Sequence, residues 1–158
     1  MPKVDFTDVM VRPAKSSGPK PTEPIEDLVI AAVDPGWHSG MAFSLKGQLA
    51  TCVALNETQV LQFLEQANYV IVEEFNTAGR LSNAGHDTIE LIGQIKGFCK
   101  ARGIGFELKL PTSRYAFLKQ AQDMCGKDKL IAKSSTSRHE VDALAHLLGW
   151  LSRYKNGQ

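Results

Sequence analysis

Features that would mark a membrane or secreted protein are missing from this sequence. No apolar run approaches the roughly 20 residues of a membrane-spanning helix. The opening residues, MPKVDFTDVMVRPAK, hold no apolar segment of secretory length. Cysteine is scarce: Cys52, Cys99 and Cys125 are odd in number, far apart and without a CxxC pair. That argues against a disulfide framework and a structural zinc site, and the expected setting is a reducing cytoplasm with no membrane partner. Charge of one sign is lacking too, since the net charge is only +1, which by itself points to no nucleic-acid partner. The average hides a division, however. Residues 57–99 carry six acids against two bases, whereas residues 100–138 carry nine Lys or Arg against three acids. The second segment is a candidate phosphate-binding surface, to be weighed against a solvated basic face without function.

Proline is concentrated at one end. Five of the seven prolines fall within residues 1–27, beside the run KSSGPK and without sustained periodicity. These residues are expected to form a flexible or loosely docked arm, and residues 28–158 a single domain of ordinary size.

What is present is organised around VIAAVDPGWHSGMAFS, residues 29–44. Val29 to Val33 read as a strand covered on both faces, which delivers the carboxylate of Asp34 to its end. Pro35 and Gly36 force a turn, and Gly40 to Ser44 return as a second strand. An acid at the tip of a rigid strand, with small residues beside it, can hold a metal ion or meet a phosphate, or it can simply cap the turn.

A third strand over Leu49 to Leu55 completes an antiparallel meander. Asn56 is the expected cap of an amphipathic helix that buries Val60, Leu61, Phe63 and Leu64. Tyr69 to Val72 form the next buried strand, followed by Glu73 and Glu74. A strand arriving after a crossover helix pairs parallel to the first, so its acid reaches the same sheet edge as Asp34. Glu73 is favoured over Glu74 because it directly follows the strand. Residues 76–86, NTAGRLSNAGH, read as a rim loop with Arg80 as its fixed positive charge. A helix is expected from Asp87, closed by Gly103, and its Gly93 and Gly97 point to close approach of a neighbouring element, a second subunit or a nucleic-acid strand. Ile104 to Leu110 read as a fifth strand, and a short helix capped by Thr112 or Ser113 runs to about Asp123. Residues 124–138 form a polar loop holding Lys127, Lys129, Lys133 and Arg138. On the last helix, His139, Asp142 and His146 share one side.

Each signal alone has an ordinary explanation as a solvated strand exit or helix face. Together they bring Asp34, Glu73 and Asp142 toward one edge, and three acids in one place repel unless a divalent cation neutralises them. Oxygen ligands with one imidazole suit Mg2+ or Mn2+ better than zinc.

Four pieces, VDPGWHSGMAFS, VIVEEF, IGQIKGFCKARG and HEVDALAHLL, resemble RuvC-type Holliday-junction resolvases of the ribonuclease H-like superfamily, particularly the short versions carried by bacteriophages. The resemblance spans roughly residues 28–153. It implies an α/β fold with a five-stranded mixed sheet, an antiparallel meander plus two parallel strands, flanked by helices. It also implies that Asp34, Glu73 and Asp142 are metal ligands, with His139 in a position where the family has Asp or His. The implied protein is a homodimer that cuts four-way and other branched DNA by symmetric paired nicks, in the bacterial host-cell cytoplasm if phage-encoded. The chain is shorter than the larger members between Pro111 and His139 and longer after Glu73.

Two-metal hydrolysis then follows as the expected chemistry, with two Mg2+ or Mn2+ ions and 5′-phosphate ends. His139 is either a ligand or a proton carrier. Lys119, Lys127, Lys129, Lys133 and Arg138 are expected to position the DNA backbone, with Arg80 on the rim and Phe75 stacking at the crossover. The alternatives are a nuclease of the same fold for RNA–DNA hybrids or flaps, and a junction-binding module that does not cut.

Overall fold

A computed structural model describes residues 24–75, 83–127 and 138–155. Five strands form one sheet in the order β3-β2-β1-β4-β5. They are β1 (Val29–Asp34), β2 (Ser39–Leu45), β3 (Gln48–Ala54), β4 (Tyr69–Glu73) and β5 (Gly105–Lys109). The helices are α1 (Glu57–Leu64), α2 (Asn83–Arg102), α3 (Leu118–Lys127) and α4 (Arg138–Lys155), with a 3-10 segment over Pro111–Phe117. The expected mixed sheet is therefore present: β1, β2 and β3 pair antiparallel, while β1, β4 and β5 pair parallel.

Local chemistry accounts for the turns. Lys46 and Gly47 both take positive φ, 50° and 80°, as a two-residue hairpin between twisted strands requires. Asn56 caps α1 by accepting from the Gln59 N–H at 2.9 Å, and Gln59 Oε1 accepts from the Leu55 N–H at 2.8 Å, so two orphan donors are satisfied reciprocally.

Every residue of β1 is buried, because helices cover both faces of the sheet. Ile30, Ala32, Ala42 and Ile71 pack beneath α4 with Leu144, Leu147 and Trp150. Their neighbours Val29, Ala31, Val33, Val70 and Val72 face α1 and α2, against Leu64, Leu91 and Ile95. The alternation is the period of two intrinsic to a strand. At the far end of the sheet from Asp34, Asn68 clamps the start of β1. Its Oδ1 accepts from the Val29 N–H and its own N–H donates to the Val29 carbonyl, each at 2.8 Å.

Several expectations are corrected. Gly93 and Gly97 are exposed, and among the described residues nothing outside their own stretch of helix lies within 4 Å of where a Cβ would sit, so no described element is drawn close by them. The close approach belongs instead to Gly40. A Cβ there would lie 2.0 Å from the His139 carbonyl carbon, so the missing side chain lets the start of α4 rest on β2. Phe63 remains 38% exposed, leaving Val60 and Leu64 as the buried residues of α1. The short helix after β5 is a 3-10 segment with Pro111 in its first turn and no side-chain cap, and it continues into α3 as far as Lys127, where a loop was expected from residue 124. Helix α2 starts at Asn83 rather than Asp87.

Candidate active site

Parallel pairing of β1 with β4 in the register Val33↔Val72 carries Asp34 and Glu73 to neighbouring strand ends. Helix α4 crosses the same edge and adds His139 and Asp142 from successive turns. The four residues singled out in the sequence thus meet in space, although Asp34 and His139, which touch, stand 105 positions apart in the chain.

The contacts among them are specific. His139 Nδ1 lies 2.7 Å from Asp34 Oδ2. His146, one turn beyond Asp142 and 3% exposed, places Nε2 2.7 Å from Glu73 Oε2. Because a carboxylate only accepts, the Nε2 proton of His146 points at Glu73, and Nδ1 has no hydrogen-bond partner among the described residues. Arg114, from the 3-10 segment, donates from Nη1 to Glu73 Oε1 at 2.8 Å and places Nε 3.4 Å from Asp142 Oδ1. One guanidinium therefore lies between two of the three acids.

Electrostatics follow from this crowding. Burial pushes the Asp34 carboxyl above its ordinary value, and repulsion from Glu73 and Asp142 adds to it against the opposing hydrogen bond from His139. The hydrogen bond to Asp34 raises His139, with burial opposing and the charges of Asp34, Asp142 and Glu73 reinforcing. Burial alone would raise Glu73, but His146 and Arg114 overcome it and hold that carboxyl below its ordinary value. Burial likewise works against Arg114, yet Glu73 and Asp142 keep its guanidinium even more firmly protonated than usual.

The donor set of three carboxylates and an imidazole fits a hard divalent cation, and Asp34 remains under-compensated by the side chains around it. Even so, among the described residues no group of three acidic, histidine or cysteine side chains is arranged to hold a metal ion. Each member is already engaged, Asp34 by His139, Glu73 by His146 and Arg114, and Asp142 by Arg114.

The remaining site candidates are scattered. Phe75, just past β4, is 38% exposed, so it is not a buried strand-end residue. Lys119 on α3 and Arg138 at the start of α4 are exposed. Glu74 is exposed while Glu73 turns inward. Arg80, Lys129 and Lys133, like most of the N-terminal arm, lie outside the described residues, as does the side chain of Lys127. Two members of the site were missed. Arg114 stands 41 residues from Glu73 in a segment read only as a short helix. The spacing of His146 after Asp142 is visible in the sequence, but its pairing with Glu73 is not.

An antiparallel meander continued by two parallel strands, with helices on both faces and acids gathered at one edge, defines the ribonuclease H-like fold in its RuvC-type form. Solved structures sharing it include Thermus thermophilus RuvC in complex with a Holliday junction substrate, at 17% identity and TM-score 0.63, over 82% of this chain and 96% of that one. A second Thermus thermophilus RuvC structure matches at 19% identity and TM-score 0.60, over 82% and 97%. The yeast mitochondrial Holliday junction resolvase Ydc2 matches at 12% identity and TM-score 0.53, over 96% and 86%. No protein-family model and no curated protein matches the sequence. Identities this low speak for a shared fold.

Proposed function

We infer that the chain is a divalent-metal-dependent endonuclease that cuts four-way and other branched DNA by symmetric paired nicks, leaving 5′-phosphate ends. The observation that carries this reading is the convergence of Asp34, Glu73 and Asp142 with His139 on one sheet edge, in a fold shared with a resolvase solved on its junction. A module that only bound DNA would gain nothing from burying repelling carboxylates where phosphate must lie.

Asp34, Glu73 and Asp142, with His139 either as a further ligand or as a proton carrier, would hold two Mg2+ or Mn2+ ions, which when bound activate the attacking water and offset charge on the departing 3′ oxygen. The chain's own groups do the rest. His146 orients Glu73 from behind, fixing one carboxylate oxygen through its Nε2 proton. Arg114 offsets the charge of Glu73 and Asp142 and keeps both carboxylates aimed at the edge. His139 shares its Nδ1 proton with Asp34 while its side chain stays 46% exposed, so the ring can hand a proton to solvent or to a leaving oxygen. Exposed Lys119 and Arg138, with Lys127, Lys129, Lys133 and Arg80, supply cations for the backbone, and Phe75 an apolar surface at the rim. Two active sites are needed for paired nicks, so the acting form is a homodimer; the open stripe of Ile89, Gly93 and Gly97 along α2 offers a face for it.

The test is cleavage of a labelled immobile four-way junction with Mg2+ or Mn2+, beside linear duplex and RNA–DNA hybrid. The native chain is expected to nick the junction in pairs. Asp34→Asn is expected to bind it equally while cleavage falls by about three orders of magnitude or more. Binding without cleavage in either metal, or cleavage confined to the hybrid, would overturn the reading.

A further inference from the structure

The turn between β1 and β2 carries one of the two tryptophans, Trp37, and leaves it 82% exposed. Exposing so large an apolar ring without return is costly, and the turn's shape does not need it, since Pro35 and Gly36 already make the bend. Its position is informative. Trp37 follows Gly36, whose Cβ direction comes within 3.5 Å of the His139 ring, and lies three residues beyond Asp34. Beside it opens a cavity of about 340 Å³ lined by Gly36, Trp37, Leu55, Glu57, Asp87 and Leu91, among others. Leu55 at its wall is itself 57% exposed, so the cavity pairs apolar walls with two carboxylates.

That chemistry selects the occupant. Glu57 and Asp87 repel a phosphate, so the cavity does not continue the phosphate path. Apolar walls that include an indole, with acceptors nearby, suit a nucleobase, which stacks on an aromatic face and offers N–H donors at its edge. A base can reach it only when lifted from the duplex stack, as at a strand exchange point. We propose that Trp37 and this cavity form a nucleobase subsite that stacks an unstacked base of the branched substrate beside the cleavage edge. The subsite rests on the endonuclease reading, and it adds a contact available only where a base leaves the stack.

The experiment reads Trp37 directly. Trp150 is only 4% exposed, so acrylamide-accessible emission belongs to Trp37, and Trp37→Phe gives the background to subtract. Four-way junction is titrated in EDTA while anisotropy of labelled DNA reports binding independently. On binding, Trp37 emission is expected to fall by about half or more and to lose its acrylamide access. Trp37→Phe, which keeps a ring, should bind and cut close to the native level. Trp37→Ala should bind junction roughly five- to a hundredfold more weakly, lose little affinity for linear duplex, and melt as the native chain does. Junction bound by anisotropy with Trp37 emission and access unchanged would overturn the subsite while leaving the endonuclease reading intact. Emission that follows protein concentration rather than DNA would also overturn it, in favour of contact between copies. Absence of junction binding by the native chain would remove both.

Discussion

Arg114 is the residue whose role the chemistry of its neighbours states most plainly. It is a fixed cation set between acids that would otherwise repel, and removal leaves Glu73 and Asp142 facing each other across little solvent. Arg114→Ala should therefore cost about 2 kcal/mol of stability in EDTA, read as a lowered melting temperature. Added Mg2+ should restore more of that loss in the variant than it adds to the native chain, because the ion replaces the missing charge. An unchanged melt in EDTA, or no recovery with Mg2+, would show that the guanidinium does not compensate these acids. The individual acids were legible in the sequence because each ends a buried strand or opens a helix, positions that local pattern reveals. Arg114 was not, because nothing in PTSRYAF signals that a segment far along the chain turns one arginine back to two strand ends. Glu107 was hidden for a similar reason. On β5 it reads as one polar position of an edge strand, yet it is 1% exposed and accepts from Tyr69 Oη at 3.0 Å and Trp150 Nε1 at 3.2 Å, with Lys109 and Arg153 against its other oxygen.

At the scale of elements, the active edge depends on how closely α4 approaches β2. Gly40 sets that approach, since a methyl group there would meet the backbone of His139 and the N–H of Glu140. Gly40→Ala is expected to push the start of α4 outward, lowering stability by about 1–3 kcal/mol and cutting cleavage more than junction binding, since His139 and Asp142 ride on the displaced turn. Normal cleavage by a stably folded Gly40→Ala protein would contradict this account. The strands were readable because continuous apolar runs and alternation are strong local signals, and the parallel pairing followed from the crossover helix between β3 and β4. Helix ends were read less well. The start of α2 lies among Asn, Gly and His residues with weak preference, and α3 persists through Met124, Cys125 and Gly126, whose glycine signals a break that the packing of Met124 and Cys125 against the core overrides. The glycine pair on α2 shows the limit of such reading: sequence marks a position lacking a side chain, but not which neighbour, if any, uses the space.

Across the whole molecule, burial raises the pKa of several weakly acidic side chains. The Tyr69 phenol is held well above its ordinary value by burial and by the charge of Glu107, Cys99 is pushed up to about 12 by burial and Cys52 to about 11 by burial and Glu140. In the unfolded chain these groups release protons at about 8.5 for thiols and 10 for tyrosine. Their contribution to stability is therefore complete below pH 8.5 and is lost as pH rises toward their folded values. Cys125 is raised as well, by burial and Glu140, and Lys109, lowered by burial, opposes these four as a single group. The urea midpoint, measured under reducing conditions in EDTA, should fall steadily between pH 8 and 10.5; a flat midpoint would mean that these side chains are more open to water than they stand here. The same sheet carries a quieter consequence. Asn68 fixes where β1 begins relative to β4, and five residues of extended chain, roughly 16 Å, separate that clamp from Asp34. The alignment of the acids is thus gauged from the opposite end of the molecule, as a ruler is read from its zero mark.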